Sequence, residues 1–220
     1  MGVTVQCPRC DGGVRPPGLT SSEWRCDSCG DVDPFFVTDR ISAEILNATR
    51  DRIAGAGDGL PLWCPWPLLT GWTVTGVGWV GDDRVRPRAT AVAVSGPAPL
   101  DHGPADLVFV AERPGTGLGA CLAGLKGPDP GPCLMEEMRR STGHAKVRAA
   151  GHPTPLWSVG ACEDRSAYVG EAKGMWLYAV AWPASAGYLL VDEVVLWDLT
   201  DDVPGELVFG APSPYLRGSA

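Results

Sequence analysis

The chain has 220 residues, enough for one ordinary domain plus a small appended module, and enough to bury a core without disulfide staples. With 29 Gly and 21 Pro, nearly a quarter of the backbone is stiff or unusually free, which excludes a helical bundle or coiled coil and favours short strands joined by turns. Eighteen basic against 26 acidic residues leave a net charge of −8, so the bulk chain is repelled by nucleic acid and by anionic lipid.

The first six residues, Met1-Gly2-Val3-Thr4-Val5-Gln6, carry neither a basic head nor an apolar signal core, and a cytoplasmic setting is expected. In a reducing compartment, eight cysteines that include two Cys-x-x-Cys units point to metal rather than disulfides. Cys7-Pro8-Arg9-Cys10 and Cys26-Asp27-Ser28-Cys29 are separated by the fifteen residues Asp11 to Arg25, the short end of four-cysteine zinc spacing. Each unit forms a tight knuckle whose two sulfurs face one point, and two knuckles complete a tetrahedron. Gly12-Gly13 and Gly30 follow the knuckles and are expected to supply the positive φ that turns backbone over the sulfurs. Pro16-Pro17-Gly18 reads as a turn and Glu23-Trp24-Arg25 as a short strand, the layout of a zinc ribbon. A redox dithiol pair and a rubredoxin-like iron site are the competing readings. Zinc is preferred on spacing.

Four protein ligands Cys7, Cys10, Cys26 and Cys29 leave no open coordination position, so the expected zinc is structural. Residues 1–40 hold four Arg against six Asp and Glu, and four thiolates with one Zn²⁺ would add a further −2. Such a ribbon lacks a phosphate-neutralising patch: no nucleic acid and no membrane is expected, and a protein partner is the contact it suits.

From Asp39 to Ala54 the segment DRISAEILNATRDRIA reads as a linker helix, with Arg50 and Arg52 near its end and Gly55 and Gly57 beyond. Ile41, Ile45, Ala48 and Ile53 give it a thin apolar stripe. Strands are predicted at Trp72–Val80, Arg88–Ser95, Asp106–Glu112, Ala145–Ala150, Ala167–Glu171, Met175–Trp182 and Tyr188–Leu199, each rich in Val, Trp, Tyr or Leu and bounded by turn residues. The uncharged run Gly174 to Val191 is interrupted by Pro183 and Gly187 and reads as a hairpin, not a membrane span. The expected fold is therefore α+β and β-rich: a zinc ribbon over 1–37, a linker helix over 38–58, and a sandwich or open-barrel-like β domain with short helices over 59–220.

Trp66-Pro67-Leu68-Leu69-Thr70-Gly71-Trp72 and Trp182-Pro183-Ala184-Ser185-Ala186-Gly187-Tyr188 share Trp-Pro, three residues, Gly and an aromatic, a weak internal echo. Nine Trp are read mainly as core, with an aromatic groove for a peptide or sugar as the alternative. Gly115-Thr116-Gly117-Leu118-Gly119-Ala120 follows a predicted strand and matches a phosphate loop by letter, with Gly115, Gly117 and Gly119 as candidate cofactor-binding positions for CoA or a nucleotide. A helix starting at Leu118 must stop before Gly127-Pro128, too short for a strong dipole, so a structural turn is preferred. His144 and Lys146 would share one face of a strand and could hold an anion or move a proton. Asp192-Glu193 interrupts an apolar strand and would place carboxylates on both faces. These four are the weak catalytic candidates. Cys64, Cys121, Cys133 and Cys162 are read as core thiols.

The paired Cys-x-x-Cys units, Trp66-Pro67 to Trp72, Gly127-Pro128-Asp129-Pro130-Gly131-Pro132, His144-Ala145-Lys146-Val147 and Pro153-Thr154-Pro155-Leu156-Trp157 together resemble an uncharacterised actinobacterial family of about this length. Only 3 of the 18 basic residues are Lys, which fits a genome rich in G and C. Some members of that family carry an automatic phosphotransacetylase label, but no catalytic motif of that enzyme is matched here and the chain is too short for its usual fold. In some members His stands as the fourth metal ligand where this chain has Cys29, so the resemblance implies a metal site and is silent on catalysis. The reading that results is a non-enzymatic binding or scaffold protein, with an acyl- or phosphotransferase-type enzyme using Gly115–Gly119 as the alternative.

Overall fold

A computed structural model describes residues 2–216 apart from 20, 56, 58, 99, 101, 102, 161 and 193, and all side chains among these but those of 132 and 133. In chain order the elements are β1 (Val3–Gln6), β2 (Val14–Arg15), β3 (Arg25–Cys26), β4 (Gly30–Asp31), β5 (Phe35–Thr38), α1 (Ala43–Ala54), β6 (Trp63–Pro65), β7 (Thr73–Val80), β8 (Ala89–Pro97) and β9 (Pro104–Glu112). There follow α2 (Leu118–Leu122), α3 (Gly131–Arg140), β10 (Ala145–Ala149), β11 (His152–Val159), β12 (Ser166–Ala172), β13 (Met175–Trp182), a 3₁₀ helix over Ala184–Leu190 and β14 (Val194–Asp198). Eleven strands form one sheet in the order β1-β5-β7-β8-β9-β13-β12-β11-β10-β14-β6, and β2-β3-β4 form a small separate one. Every pair in the large sheet is antiparallel except β10 with β14.

The central strands are apolar on both faces, which is why they read as nearly continuous hydrophobic runs. Val92 and Val94, Leu107 and Phe109, Leu177 and Ala179 point into one core, while Ala91 and Ala93, Val108 and Val110, Tyr178 and Val180 point into a second. Alternation along a strand makes this unavoidable, so both faces must be covered. The first is covered by α1 and by the sheet bending back on itself, which lays β6 against β8 and β9. The second is covered by Leu118 and Ala120 of α2, Leu134 of α3, and Leu216 near the end of the chain.

The helix α1 begins later than predicted because the Asp39 backbone is committed elsewhere: its N–H donates to Gly2 O beyond the β1/β5 pair. Ser42 then caps the helix, accepting from the Ile45 N–H. Its buried stripe is Ile45, Leu46, Thr49 and Ile53, with Leu46 fully buried and Ala48 exposed, so it enters the core more deeply than the predicted stripe implied.

Three strand predictions are corrected. Tyr188–Leu199 is not one strand: Tyr188 to Leu190 finish a 3₁₀ helix and only Val194–Asp198 pairs in the sheet. The Gly174–Val191 run accordingly divides into β13 and that 3₁₀ helix, because Pro183 ends the strand where the ladder with β9 ends. Strand β11 was missed because it holds Pro153 and Pro155, yet β12 pairs only with Trp157–Val159, so neither proline interrupts the ladder on that side.

A buried carboxylate, paired with a partly exposed lysine, joins the two ends of the fold-back. Asp198 accepts from the N–H groups of Leu62 and Thr200, both at 3.0 Å, from Thr200 Oγ1 at 2.7 Å and from Lys173 Nζ at 2.7 Å, while the Lys173 ammonium lies 5.4 Å from the Trp63 ring centre. Burial alone would raise this carboxyl, but Lys173, Thr200 and the backbone donors outweigh it and hold it below the usual range. Asp198→Ala removes the acceptor for four buried or half-buried donors and is expected to cost about 3 kcal/mol in urea unfolding at pH 7. Because the folded pKa is depressed, the stabilisation is present at neutral pH and lost as pH falls through that value, so the gap between wild type and variant should close in acid.

Candidate metal centre and the loop beneath it

The segment between β1 and β5 carries the four cysteines. Their sulfurs all lie within 4.8 Å of one another, with Cys10 and Cys26 at 3.4 Å, and all four are free thiols. Tetrahedral zinc with bonds of about 2.3 Å requires sulfurs roughly 3.8 Å apart, and a disulfide requires about 2.05 Å. The group fits the first spacing and excludes the second. These four residues are close enough to hold a metal ion.

Each knuckle turns its backbone N–H groups onto its leading sulfur. Those of Arg9 and Cys10 face Cys7, and those of Cys29 and Ser28 face Cys26. At Cys7 burial prevails and the thiol is pushed strongly up. At Cys26 burial also pushes up, but the amides of Cys29 and Ser28 and the neighbouring thiols prevail and hold it at about 7. The positive φ that follows the second knuckle is at Gly30, as expected. After the first it is at Asp11, at the equivalent position, and not at Gly12 or Gly13; Asp tolerates the left-handed region better than most residues.

Among the contacts that fasten the knuckle segment to the rest of the fold are those of Arg9 and Trp24. Arg9, inside the first knuckle, donates to Gly115 O at 3.0 Å and Thr116 O at 3.3 Å. Trp24 meets Phe36 edge-on at 6.0 Å, Phe36 stacks on Trp79 at 5.3 Å, and Trp24 Nε1 donates to Asp82 at 3.0 Å. Sequence reading missed both contacts. Arg9 carried a usable signal, since a long donor side chain between two ligand cysteines must reach outward.

The first contact falls on the glycine-rich loop, and the loop's other groups are also engaged. Gly115 N–H donates to Asp129 Oδ1 at 2.8 Å, which also accepts from Trp176 Nε1 at 3.2 Å. Gly119 N–H donates to Glu112 Oε2 at 3.0 Å, and the amides of Leu118 and Gly117 face the same carboxyl. A Cβ at Gly119 would lie 2.2 Å from the Tyr178 ring, so glycine is required there by packing. The amides at the start of α2, which spans only five residues, are thus turned onto Glu112.

The remaining candidates do not converge on this place. His144, just before β10, and Lys146, within it, are exposed, with His144 Nδ1 accepting from Ser158 N–H at 3.1 Å and Nε2 lying 3.8 Å from Glu137. Asp192 is not on a strand but in the exposed turn before β14, and Glu193 lies outside the described residues. Cys64 is a core thiol, pushed up to about 12 by burial. Cys121 and Cys162 are only half-buried, which corrects their reading as core, and Cys121 lies near enough to Asp11, Cys10 and Cys29 for their charge to add to burial in raising it to about 12. The Cys133 side chain lies outside those described. Of nine Trp, Trp63, Trp72, Trp157 and Trp182 are buried, Trp24, Trp66, Trp79 and Trp176 are half-buried, and Trp197 is exposed.

The chain belongs to a family of unknown function, DUF6758, which it matches over residues 1–216. No curated protein and no solved structure matches it. Among the described residues, no helix is long and apolar enough to cross a membrane.

Glu112 is fully buried and pushed up to about 8, chiefly by burial, with its amide donors opposing. The folded state therefore keeps a proton that the unfolded chain releases near pH 4.5, so stability falls as pH rises from about 4.5 to 8 and levels beyond. Glu112→Gln keeps an acceptor for the Gly119 amide and removes the ionisation. Urea unfolding at pH 5.5, 7 and 8.5 should show the variant gaining on wild type as pH rises, by about 3 kcal/mol between the lowest and highest pH. A parallel pH dependence in both proteins would contradict it.

Proposed function

We propose that this protein is a non-enzymatic binding or scaffold protein of the cytoplasm, in which Cys7, Cys10, Cys26 and Cys29 hold a structural zinc ion that orders a ribbon against an open-barrel-like β sheet. The observation that carries the reading is the convergence of four free sulfurs within 4.8 Å from two knuckles fifteen residues apart. All four positions are protein ligands, so the ion would neither bind substrate nor activate water; its contribution is folding energy, about 10–16 kcal/mol for sites of this kind. Cys10 is exposed and Cys29 half-exposed, which leaves the ribbon a surface for a protein partner. Its acidic balance argues against nucleic acid.

The opposing reading, a transferase holding CoA or a nucleotide at Gly115–Gly119, requires the ligand to displace Glu112 and Asp129 from the loop's amides and Arg9 from its carbonyls. Thermal shift against acetyl-CoA, CoA, ATP and NAD is expected to give no stabilisation; a saturable shift with any of them would revive the enzyme.

Elemental analysis should find about one zinc per chain in purified wild-type protein. Cys26→Ser should lose most of it, and chelation of wild type should change the fluorescence of Trp24, two residues from a ligand and packed on Phe36. Full retention of ribbon order in metal-free protein, or iron in place of zinc, would overturn the assignment.

A further inference from the structure

On the face of the sheet opposite the α2 loop, a pocket of about 190 Å³ opens between the bend of the sheet and its centre. Its floor is Val94 of β8 and Leu107 of β9, both buried in the first core. Its walls come from the two segments that echo one another in sequence: Leu68 and Trp72 from one, Tyr188 and the following Leu189 from the other. The echo reflects a shared cis Trp-Pro bond, at Trp66-Pro67 and Trp182-Pro183, but no common fold beyond it, since the first segment continues irregularly and the second as a 3₁₀ helix. The two also share a destination. Each brings a bulky side chain to the rim of the same cavity.

Among the described residues, one charged residue lines this apolar space. Asp192, displaced from the predicted strand into the turn before β14, is exposed at the lip, and among the described residues it has no hydrogen bond or ion pair. Other prominent carboxylates of the fold are engaged: Asp198 by Lys173, Asp129 by Trp176, Asp82 by Trp24, Glu112 by Gly119. An apolar cavity with a single directing polar group is the usual form of a small-molecule site, and the mouth of a curved sheet is a usual place for one.

Size and charge restrict the occupant. A dry cavity of about 150 Å³ holds benzene, so this one admits a single ring or short branched chain with a small head and excludes a nucleotide or a peptide helix. The unpaired carboxylate and the chain's net −8 favour a cation and disfavour an anion. We infer that this pocket binds a small organic amine, its apolar body seated on Val94 and Leu107 and its ammonium paired with Asp192.

The inference concerns the opposite face from the metal centre and is read independently of zinc content. With 2-phenylethylamine as probe in low salt at pH 7, titration by NMR should give saturable shifts at Leu68, Val94 and Leu189. The neutral analogue 2-phenylethanol should bind about fivefold more weakly, the increment of one partly exposed ion pair, and phenylacetate should not bind. Asp192→Asn, at an exposed turn, should reduce the amine to the affinity of the alcohol, and Leu68→Trp should abolish both by filling the cavity. Unfolding curves for each variant confirm that the fold is retained. Absence of amine binding, equal binding of amine and alcohol, or unchanged amine affinity in Asp192→Asn would each overturn the proposal.

Discussion

A sheet whose central strands are apolar on both sides has to find cover for two faces from one chain of moderate length, and most of the architecture follows from meeting that requirement. Each strand of β7, β8, β9 and β13 sends alternate side chains into opposite cores. At about 25 cal/mol per Å² of apolar surface, leaving either face wet would cost more than the whole net stability of an ordinary domain. The first face obtains its cover from the sheet itself, which bends until β6 lies on β8 and β9, with α1 alongside. The buried Asp198 group, linked to Leu62 before β6 and Lys173 before β13, ties the bend shut. The second face receives short pieces: α2, α3 and Leu216.

The cysteine knuckles belong to this second cover by attachment. Between β1 and β5, which extend the large sheet, the chain makes an excursion whose small core, among the described residues, is Cys7, Cys26 and Val32 with Val14 and Cys29 packed against it. Little else inside it can order it. Two thiolates 4 Å apart repel by about 4 kcal/mol at the effective dielectric of a protein surface, so these four sulfurs, close enough to hold a metal ion, could all ionise only with a cation among them. Arg9 then transfers the order of the first knuckle to the carbonyls of Gly115 and Thr116, and Trp24 transfers that of the second to Phe36 and Trp79.

The legible part of this molecule was the part specified by local chemistry. Paired Cys-x-x-Cys units state their own geometry, and Val- and Ala-rich runs between turn residues gave six of the seven predicted strands with boundaries shifted by about two residues. What escaped depended on neighbours distant in sequence. Pro153 and Pro155 speak against a strand unless β12 is known to stop short of them. Phe35–Thr38 is too short to declare itself without β1 and β7 on either side. The choice between sandwich and barrel likewise depends on how far a sheet bends, which no local pattern encodes.

The glycine loop shows the same limit from the other direction. By letter, Gly115-Thr116-Gly117-Leu118-Gly119-Ala120 offers free amides at a helix start, which is a request for an anion. The sequence contains the answer six residues before Leu118, since Glu112 ends β9 at a buried position and its carboxyl is the acceptor those amides meet. That arrangement has its own tension: full burial raises the acid to about 8, and the buried Tyr178 hydroxyl faces the same carboxyl. A motif of this kind therefore has to be read together with the charges its own strand delivers. Asp192 presents the converse case, a carboxylate with no partner among the described residues, at the edge of an apolar cavity. Of two acidic groups beside ligand-sized features, the buried one completes the fold, and the unpartnered one is where a ligand has something left to neutralise.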